Sequence, residues 1–502
     1  MVRQAKEKVI MSYYIGVDVG TSSVKILLIN EVGEIINTIA KEYENISPAT
    51  GWREQNPEVW FDNVSLGIKE LMTGYESHEV DGIGVTGQMH TTVFLDKEGK
   101  SIRPAILWND TRTYYLVDEL KRKVKDTKEI SYLKGIVSTG SHAANLLWMK
   151  ENEKENFNKI NRVLTPKDYI VYRLTGCIAT DYCDASTSAL FDFKQRTWSE
   201  KMKEIIGIGD ILPDIKNSSD IVGVIEEDLA AKLNLNNNIK VIAGTGDNAA
   251  SSISTDNIRV GSATLSLGTS GVIFVPCKNS NFKSRIKNIL FSISEDHTVN
   301  LMQGTVRSAA ACNKWWIEDI LGSKDFGAEQ DNIKADNLGN NNLLFFPHLT
   351  GDKLVYGDTL IKGSFLGISI DTTREQMTQA VLEGVAFALK DVLNMYKSIG
   401  INIDGVRVTG GGSKSDLWIK IISNVLGITL KKQSSYAGPG YGVGMLAMYG
   451  CGEYGSIQEI IDMNVCVKEK AEPEILLTRL YEEKYGVYKR IYPALKDIFE
   501  EI

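Results

Sequence analysis

Two rhythms alternate along this chain: short apolar runs that end at glycine, and longer stretches with apolar residues at helical spacing. Tyr13-Tyr14-Ile15-Gly16-Val17-Asp18 is the first apolar run. Val24-Lys25-Ile26-Leu27-Leu28-Ile29 follows after a Gly-Thr turn, and Asn30-Glu31-Val32-Gly33 turns toward a third run. Together they predict a β-meander. The stretch Pro57 to Met72 opens with proline, which suits a helix start, and is predicted helical. Val80 to Thr86 predicts a strand closing at Gly87, and Val241-Ile242-Ala243 a strand running into Gly244-Thr245-Gly246. Asp247 to Ile258 then reads as helix. Later, Val406-Arg407-Val408-Thr409 is a strand feeding Gly410-Gly411-Gly412-Ser413, ahead of a helix pattern from Asp416 to Leu426. Strands and helices alternating in this way predict an α/β fold.

Two of the turns echo each other across about half the chain. One lies in Asp18-Val19-Gly20-Thr21-Ser22-Ser23-Val24, the other in Leu265-Ser266-Leu267-Gly268-Thr269-Ser270-Gly271-Val272. Each reads as a tight hairpin turn. Glycine lets backbone approach a ligand closely, Thr and Ser add hydroxyl donors, and a phosphate chain is the natural guest. One such turn is usually only a turn. The pairing, with an acid (Asp18) in the first copy alone, weighs toward a nucleotide held between two related domains. The boundary is expected near residues 255–260, giving an extension over 1–12, one domain over 13–257 and another over 258–502.

Size and charge narrow the classes. The chain has 502 residues and a formal net charge of −8, which argues against nonspecific binding to nucleic acid or an anionic membrane. No apolar run is long enough to span a bilayer. Met1 to Ile10 lacks the apolar centre of a secretory signal. The six cysteines include no C-x-x-C pair and the five histidines no H-E-x-x-H spacing, so a reduced, cytoplasmic setting without a structural metal is expected.

There is no G-x-x-x-x-G-K-[ST] and no correctly placed G-x-G-x-x-G. Gly438-Pro439-Gly440-Tyr441-Gly442-Val443-Gly444 has the wrong spacing for a dinucleotide site and reads as a tight loop opening a closely packed helix. Asp18, ending a strand beside the first turn, either holds Mg²⁺ against a triphosphate or fixes its own turn. Asp247 opens a helix after Gly244-Thr245-Gly246; it is either a first-turn dipole partner or a general base, with Asn248 beside it able to bond a polyol. Gln88 and His90 follow a strand end and carry donors and acceptors suited to sugar hydroxyls, although a lone histidine is more often structural. Trp108-Asn109-Asp110-x-Arg112 offers a flat apolar face with an amide and charges, which suits a sugar or an ordinary domain interface. Gly411, Gly412 and Ser413 lie in a glycine-rich turn ahead of a helix, where bare backbone could seat adenosine and the α-phosphate.

Taken together these pieces resemble the FGGY carbohydrate-kinase family, over nearly the whole chain from about Ile15 to Tyr449. Gly363-Ser364-Phe365-Leu366-Gly367-Ile368 and, seven residues on, Gln376-Met377-Thr378-Gln379-Ala380-Val381-Leu382-Glu383 fit the family's C-terminal signature. The N-terminal signature fits at Trp148 and Met149 and departs at Asn145, where the family usually has Lys. The resemblance implies two actin-like, ribonuclease-H-like domains around a nucleotide and sugar cleft. Within the family, Gly87-Gln88-Met89-His90, Pro104 to Asp110, Pro166-Lys167-Asp168-Tyr169 and Gly246-Asp247-Asn248-Ala249-Ala250 are most similar to xylulokinases.

That likeness implies transfer of the γ-phosphoryl group of ATP, with Mg²⁺, to a primary hydroxyl of D-xylulose. Asp247 would be the catalytic base and Asp18 would serve the metal and phosphate end. Gln88, Met89, His90, Trp108, Asn109 and Asn248 would meet the sugar. Gly20, Thr21, Ser22, Gly268 and Thr269 would line the phosphates, and Gly411, Gly412 and Ser413 the nucleotide. A small sugar is the expected partner, with no nucleic acid or membrane partner and a homodimer as the assembly. Two departures bear on the substrate. Gly351-Asp352-Lys353-Leu354-Val355 stands where xylulokinases commonly carry Gly-Glu-Arg-Thr-Pro, and Thr91 stands where Gly often follows Met-His. A related ketose, polyol or sugar acid such as ribulose, glycerol or gluconate is the alternative, and an actin-like ATPase without a sugar is the rival of a different class.

Overall fold

In the computed structural model of the protein, residues 12–76, 79–433 and 438–502 are described. The extension expected over residues 1–12 lies outside them except for its last residue. The chain forms two compact units. The first comprises Met1–Asp256, Asn288–Leu301 and Ala437–Val465; the second comprises Asn257–Lys287, Met302–Tyr436 and Cys466–Ile502.

The first unit is built on a sheet whose strand order is Ile221–Val224, Lys240–Ile242, Val80–Gly87, Tyr13–Val19, Ser23–Asn30 and Ile35–Glu42. The last three are the expected meander, antiparallel in register Asp18↔Lys25 and Val19↔Val24. Tyr13–Val19 and Val80–Gly87 run parallel, pairing Asp18 with Thr86 and Val19 with Gly87. Alternation along the strands sends Ile15, Val17, Val24, Ile26 and Leu28 into a core shared with Trp60, Val64 and Ile68 of helix Pro57–Leu71. Asn56 caps that helix by accepting from the Glu58 backbone N–H, with proline at its first position.

Helix Gly438–Cys451 lies against this sheet with almost no side chain between. A Cβ built on Gly16 would sit 2.1 Å from the carbonyl oxygen of Gly440, and one on Gly84 2.3 Å from that of Val443. A Cβ on Gly442 would sit 1.9 Å from the carbonyl oxygen of Ala250, in helix Asp247–Ser254. The glycine-rich segment is therefore a packing device, as its spacing suggests. The helix predicted to run from Asp247 to Ile258 is shorter, stopping at Ser254. Asp256 has φ 49°, in the left-handed region, where a right-handed helix cannot continue.

The second unit repeats the strand order. Gly271–Cys277, Thr264–Leu267, Gly405–Thr409, Thr429–Gln433 and Val467–Ala471 are neighbours in that order. Thr264–Leu267 pairs antiparallel with the strand that follows it and parallel with Gly405–Thr409, as Tyr13–Val19 does with its own neighbours. Its core gathers Leu265, Leu267, Ile273, Val406 and Val408 against Val381, Val385 and Leu389 of helix Arg374–Ser398. Thr373 and Gln376 close a reciprocal capping box at the start of that helix, so Gln376 of the C-terminal signature serves the fold. Among the described residues no helix is long and apolar enough to cross a membrane.

Candidate active site

In open sheets with parallel strands, ligands gather beyond the carboxyl ends of the strands. Three such ends meet in the first unit. Asp18 is the last residue but one of its strand, Gly87 ends the next, and Gly246 pairs beside Gly87 at the end of Thr245–Gly246. Each delivers a candidate group: Asp18 before the turn Gly20–Ser22, Gln88-Met89-His90 after Gly87, and Asp247-Asn248 after Gly246.

Asp247 is the first residue of its helix, with Gly246 as N-cap, and its Oδ1 accepts the Asn248 backbone N–H at 2.7 Å. The Asn248 side-chain amide donates to the sulfur of Met89 at 3.5 Å, which brings two of the expected sugar residues together. Gly246 has no room for a side chain: a Cβ would meet the Met89 sulfur at 2.9 Å and Asp184 Oδ1 at 3.1 Å. His90 holds φ 68°, a costly conformation for a residue with a Cβ that marks a segment held by its surroundings.

Gln88, Thr91, Thr21 and Trp108 share hydrogen bonds. Thr91 Oγ1 donates to Gln88 Oε1 at 3.1 Å and accepts the Trp108 backbone N–H at 3.1 Å. Trp108 Nε1–H donates to Thr21 Oγ1 at 3.0 Å. Trp108 is 48% exposed, offering a flat apolar side chain at the site, and Asn109 beside it in the chain is exposed. The other half of that motif goes elsewhere. Arg112 Nε and Nη2 both donate to the Asp110 carboxylate, and Nη2 also pairs with Glu54, which in turn pairs with Arg103, in a buried ion network. Of the two readings open for the motif, Trp108 remains a ligand candidate, whereas Asp110 and Arg112 are structural.

The carboxylates are electrostatically unusual. Burial pushes the Asp247 carboxyl up to about 6. Asp18 is pushed up to about 7, by burial first and then by the negative charge of Asp247, with Lys25 opposing. Two neighbouring acids that resist ionisation are the arrangement that favours a base poised near neutrality or a cation between them.

Behind Asp247 lies a cluster that the sequence reading did not single out. Lys167 is fully buried, with its Nζ 2.6 Å from Asp168, 3.5 Å from Asp181 and 3.6 Å from Asp184. Lys167 Nζ also donates to the carbonyl oxygen of Ala243 at 3.2 Å, and Thr245 Oγ1 donates to Asp181 Oδ2 at 2.7 Å. The segment that delivers Asp247 is thus held by this cluster at two points. One ammonium against three buried carboxylates leaves negative charge in excess. Burial, then the neighbouring Asp181 and Asp168, push Asp184 well up, in spite of Lys167. Pro166-Lys167-Asp168-Tyr169 stood out in the sequence only through its resemblance; nothing in the spacing linked it to Asp181 or Asp184.

In the second unit, Gly268 and Thr269 occupy the hairpin turn after Thr264–Leu267. Their carbonyls accept backbone N–H groups of Ala309, Ala310 and Ala311 at 2.9–3.2 Å, which fixes the turn. Gly410 (φ 87°) and Gly412 fit against Leu267, where Cβ atoms would sit 2.7 Å from its carbonyl oxygen and 2.6 Å from its Cδ2. Gly411 faces open space. Gly411–Lys414 forms a helical turn in which Ser413 Oγ donates to the Gly410 carbonyl at 2.7 Å. Both glycine turns therefore lie at the same end of two parallel strands in register Ser266↔Thr409. This half carries backbone and hydroxyl groups, and the first unit carries the acids.

Among the described residues no group of three or more His, Cys, Asp or Glu side chains is arranged to hold a metal ion. Mg²⁺ needs none, since one or two carboxylates plus substrate phosphates suffice. The charge of Asp18 and its neighbour Asp247 fits such an ion.

The chain is similar to known proteins over nearly its whole length. Residues 13–254 match the N-terminal domain of the FGGY family of carbohydrate kinases and residues 263–451 its C-terminal domain. The chain is 32% identical to the xylulose kinase of Bacillus subtilis (strain 168), over 97% of this chain and 98% of that one. It is 30% identical to the xylulose kinase of Staphylococcus xylosus, over 96% of this chain and all of that one. A xyloylose kinase from Brucella ovis has a crystal structure that superposes with TM-score 0.90 at 32% identity, covering 97% of this chain and 100% of its own. The chain belongs to the FGGY family of carbohydrate kinases.

Proposed function

We propose that this carbohydrate kinase transfers the γ-phosphoryl group of ATP to O5 of D-xylulose, in the cytoplasm. The observation that carries the reading is Asp247: a carboxylate at a helix start beside Asn248 and Met89, pushed up to about 6. A base of that strength takes the proton of a primary hydroxyl as the oxygen attacks. The new bond joins O5 to the γ-phosphorus, the bond to the β–γ bridging oxygen breaks, and ADP leaves. Little covalent work falls to the protein in such a transfer, so positioning and charge stabilisation dominate.

Gln88, His90 and Asn248 hold sugar hydroxyls, and Met89 and Trp108 offer apolar surface. Gly20, Thr21 and Ser22 meet phosphate oxygens from the first unit. Gly268, Thr269, Gly411, Gly412 and Ser413 seat the nucleotide on the second. Asp18 would hold Mg²⁺, which neutralises charge on phosphate oxygens. The relatives' names support xylulose over other acceptors, as do the matching stretches around Met89 and Asp247.

The test is sugar-dependent ADP release with Mg-ATP across D-xylulose, D- and L-ribulose, glycerol, other polyols and gluconate. Highest kcat/KM with D-xylulose is expected. A clear preference for another acceptor would keep the chemistry and transfer the choice of sugar to Thr91 and to the Asp352–Val355 segment. Release that no sugar stimulates would overturn the reading.

A further inference from the structure

The turn expected to meet phosphate and the loop expected to meet sugar are joined by a closed ring of side chains, all within the first unit. Gln88 Oε1 accepts from Thr91 Oγ1 at 3.1 Å and from Thr21 Oγ1 at 3.4 Å. Gln88 Nε2 donates to the Gly20 carbonyl at 3.3 Å, where the Tyr43 hydroxyl also donates at 2.6 Å. Trp108 closes the ring, its backbone N–H on Thr91 Oγ1 at 3.1 Å and its indole N–H on Thr21 Oγ1 at 3.0 Å. The Gln88 backbone N–H is itself tied to the Val19 carbonyl at 3.0 Å. Thr91 is completely buried and Gln88 nearly so, whereas Thr21 is partly open.

A threonine hydroxyl has one proton. Thr21 spends its proton on Gln88 Oε1, at the longest distance in the ring. A phosphate oxygen entering the turn is a charged acceptor and competes for that proton, since hydrogen bonds to charged groups are the stronger ones. Once Thr21 turns to phosphate, Gln88 Oε1 keeps a single side-chain donor, Thr91. The buried Thr91 hydroxyl faces no such competitor, because its proton points at Gln88 and its lone pair holds the Trp108 N–H.

We propose that Thr91 is a positioning residue that holds Gln88, and through it the Met89-His90 loop, in its sugar-binding setting when phosphate occupies the turn at Thr21. Without the Thr91 hydroxyl, filling the turn strips Gln88 Oε1 of both donors. The side chain is then held only by its Nε2 on the Gly20 carbonyl, and the sugar loop loosens at the moment it is needed. Thr91 touches neither substrate in this scheme and acts through Gln88 and Trp108. The inference rests on the kinase reading given above, so its test includes an arm that needs no sugar turnover.

Thr91→Val keeps the volume and removes the hydroxyl; Thr91→Ser keeps the hydroxyl; Thr91→Ala removes it without any risk of a clash, should Val not fold. One neutral hydrogen bond corresponds to about 3–10-fold in a binding constant. The sugar KM is therefore expected to rise about 3–10-fold in the Val and Ala variants, with kcat within about 3-fold, and to return to the parent's in the Ser variant. In parallel, amide hydrogen exchange over residues 87–92 is followed with and without a non-hydrolysable ATP analogue. The analogue is expected to leave exchange unchanged in the parent and the Ser variant and to speed it in the Val and Ala variants. An equal response of all four proteins to the analogue would overturn the relay, whatever the sugar panel shows. A Ser variant as impaired as Val would overturn it too, pointing to volume instead of the hydroxyl. If exchange behaves as expected while no sugar stimulates ADP release, the relay stands and the sugar assignment falls.

Discussion

Replacing Asp247 by asparagine is expected to lower turnover by about 10²–10⁴-fold, the usual worth of a positioned general base. The variant keeps the shape and the hydrogen bond from the Asn248 backbone, so sugar KM should stay within a few-fold. In the parent, kcat/KM should climb with pH through about 6 and level off above about 7, because both Asp247 and Asp18 must lose their protons against burial. The Asn variant should lose the limb near 6. Stability runs the other way. A carboxyl raised in the folded state binds its proton more tightly there than in the unfolded chain, so the fold loses stability as pH rises from the unfolded value through the folded one. An amide escapes that loss, and the Asn variant should melt no lower than the parent at pH 8. Turnover within a few-fold of the parent would remove Asp247 as the base.

Replacing Lys167 by methionine is expected to be the most damaging single change to the first unit. The chain stem can be mimicked, but three carboxylates and the Ala243 carbonyl lose their shared cation. Breaking a buried ion pair from one side typically costs about 3–5 kcal/mol. The effect should also depend on pH. The carboxyl of Asp184 is already pushed up against the opposition of Lys167, so without the ammonium it favours its protonated form still more, and the deficit is greatest at pH 8 and narrows toward pH 5. Urea unfolding at both pH values, followed by hydrogen exchange in segment 240–247, would check it. An equal deficit at the two pH values would mean that the loss comes from packing and not from charge. Activity should fall as well, since the segment carrying Asp247 is pinned through Ala243 and Thr245.

The elements read most accurately from the chain were those whose ends are decided locally. Helix Asp416–Leu426 has its limits where the pattern put them, because Ser415 caps it by accepting the Trp418 N–H and Gly427 ends it in the left-handed conformation. Helix Asp247–Ser254 ends early because the backbone turns left-handed at Asp256, and an aspartate within a helical pattern is only a weak sign of such a turn. Asp18, Gln88, Met89 and Asp247 could be picked out because each follows an apolar run into a turn, and the parallel register then brings the strand ends together. The meeting of Lys167 and Asp168 with Asp181 and Asp184 is not legible in the sequence, for the opposite reason. Asp181 and Asp184 reach Lys167 from a separate strand and helix, and that meeting depends on pairing between distant segments. The same holds for Arg112 in part: its pair with Asp110 is local, but its other partner, Glu54, comes from a separate strand.

The helix Gly438–Cys451 covers one face of strands formed by residues 13–19 and 80–87, close enough that Gly16 and Gly84 touch its backbone. A ribosome makes those strands long before it makes the helix. Throughout that interval the nascent first unit has one sheet face bare, and no earlier segment can stand in, because only a glycine-lined helix fits so closely. Completion of this unit therefore waits until residue 465 has been made, the reverse of the usual N-terminal-first order of domain maturation. Nascent chains stalled at residue 300 should be cut readily by protease within strands 13–42, and chains extended past residue 465 should resist; equal resistance at both lengths would show that the sheet matures without its late-made cover.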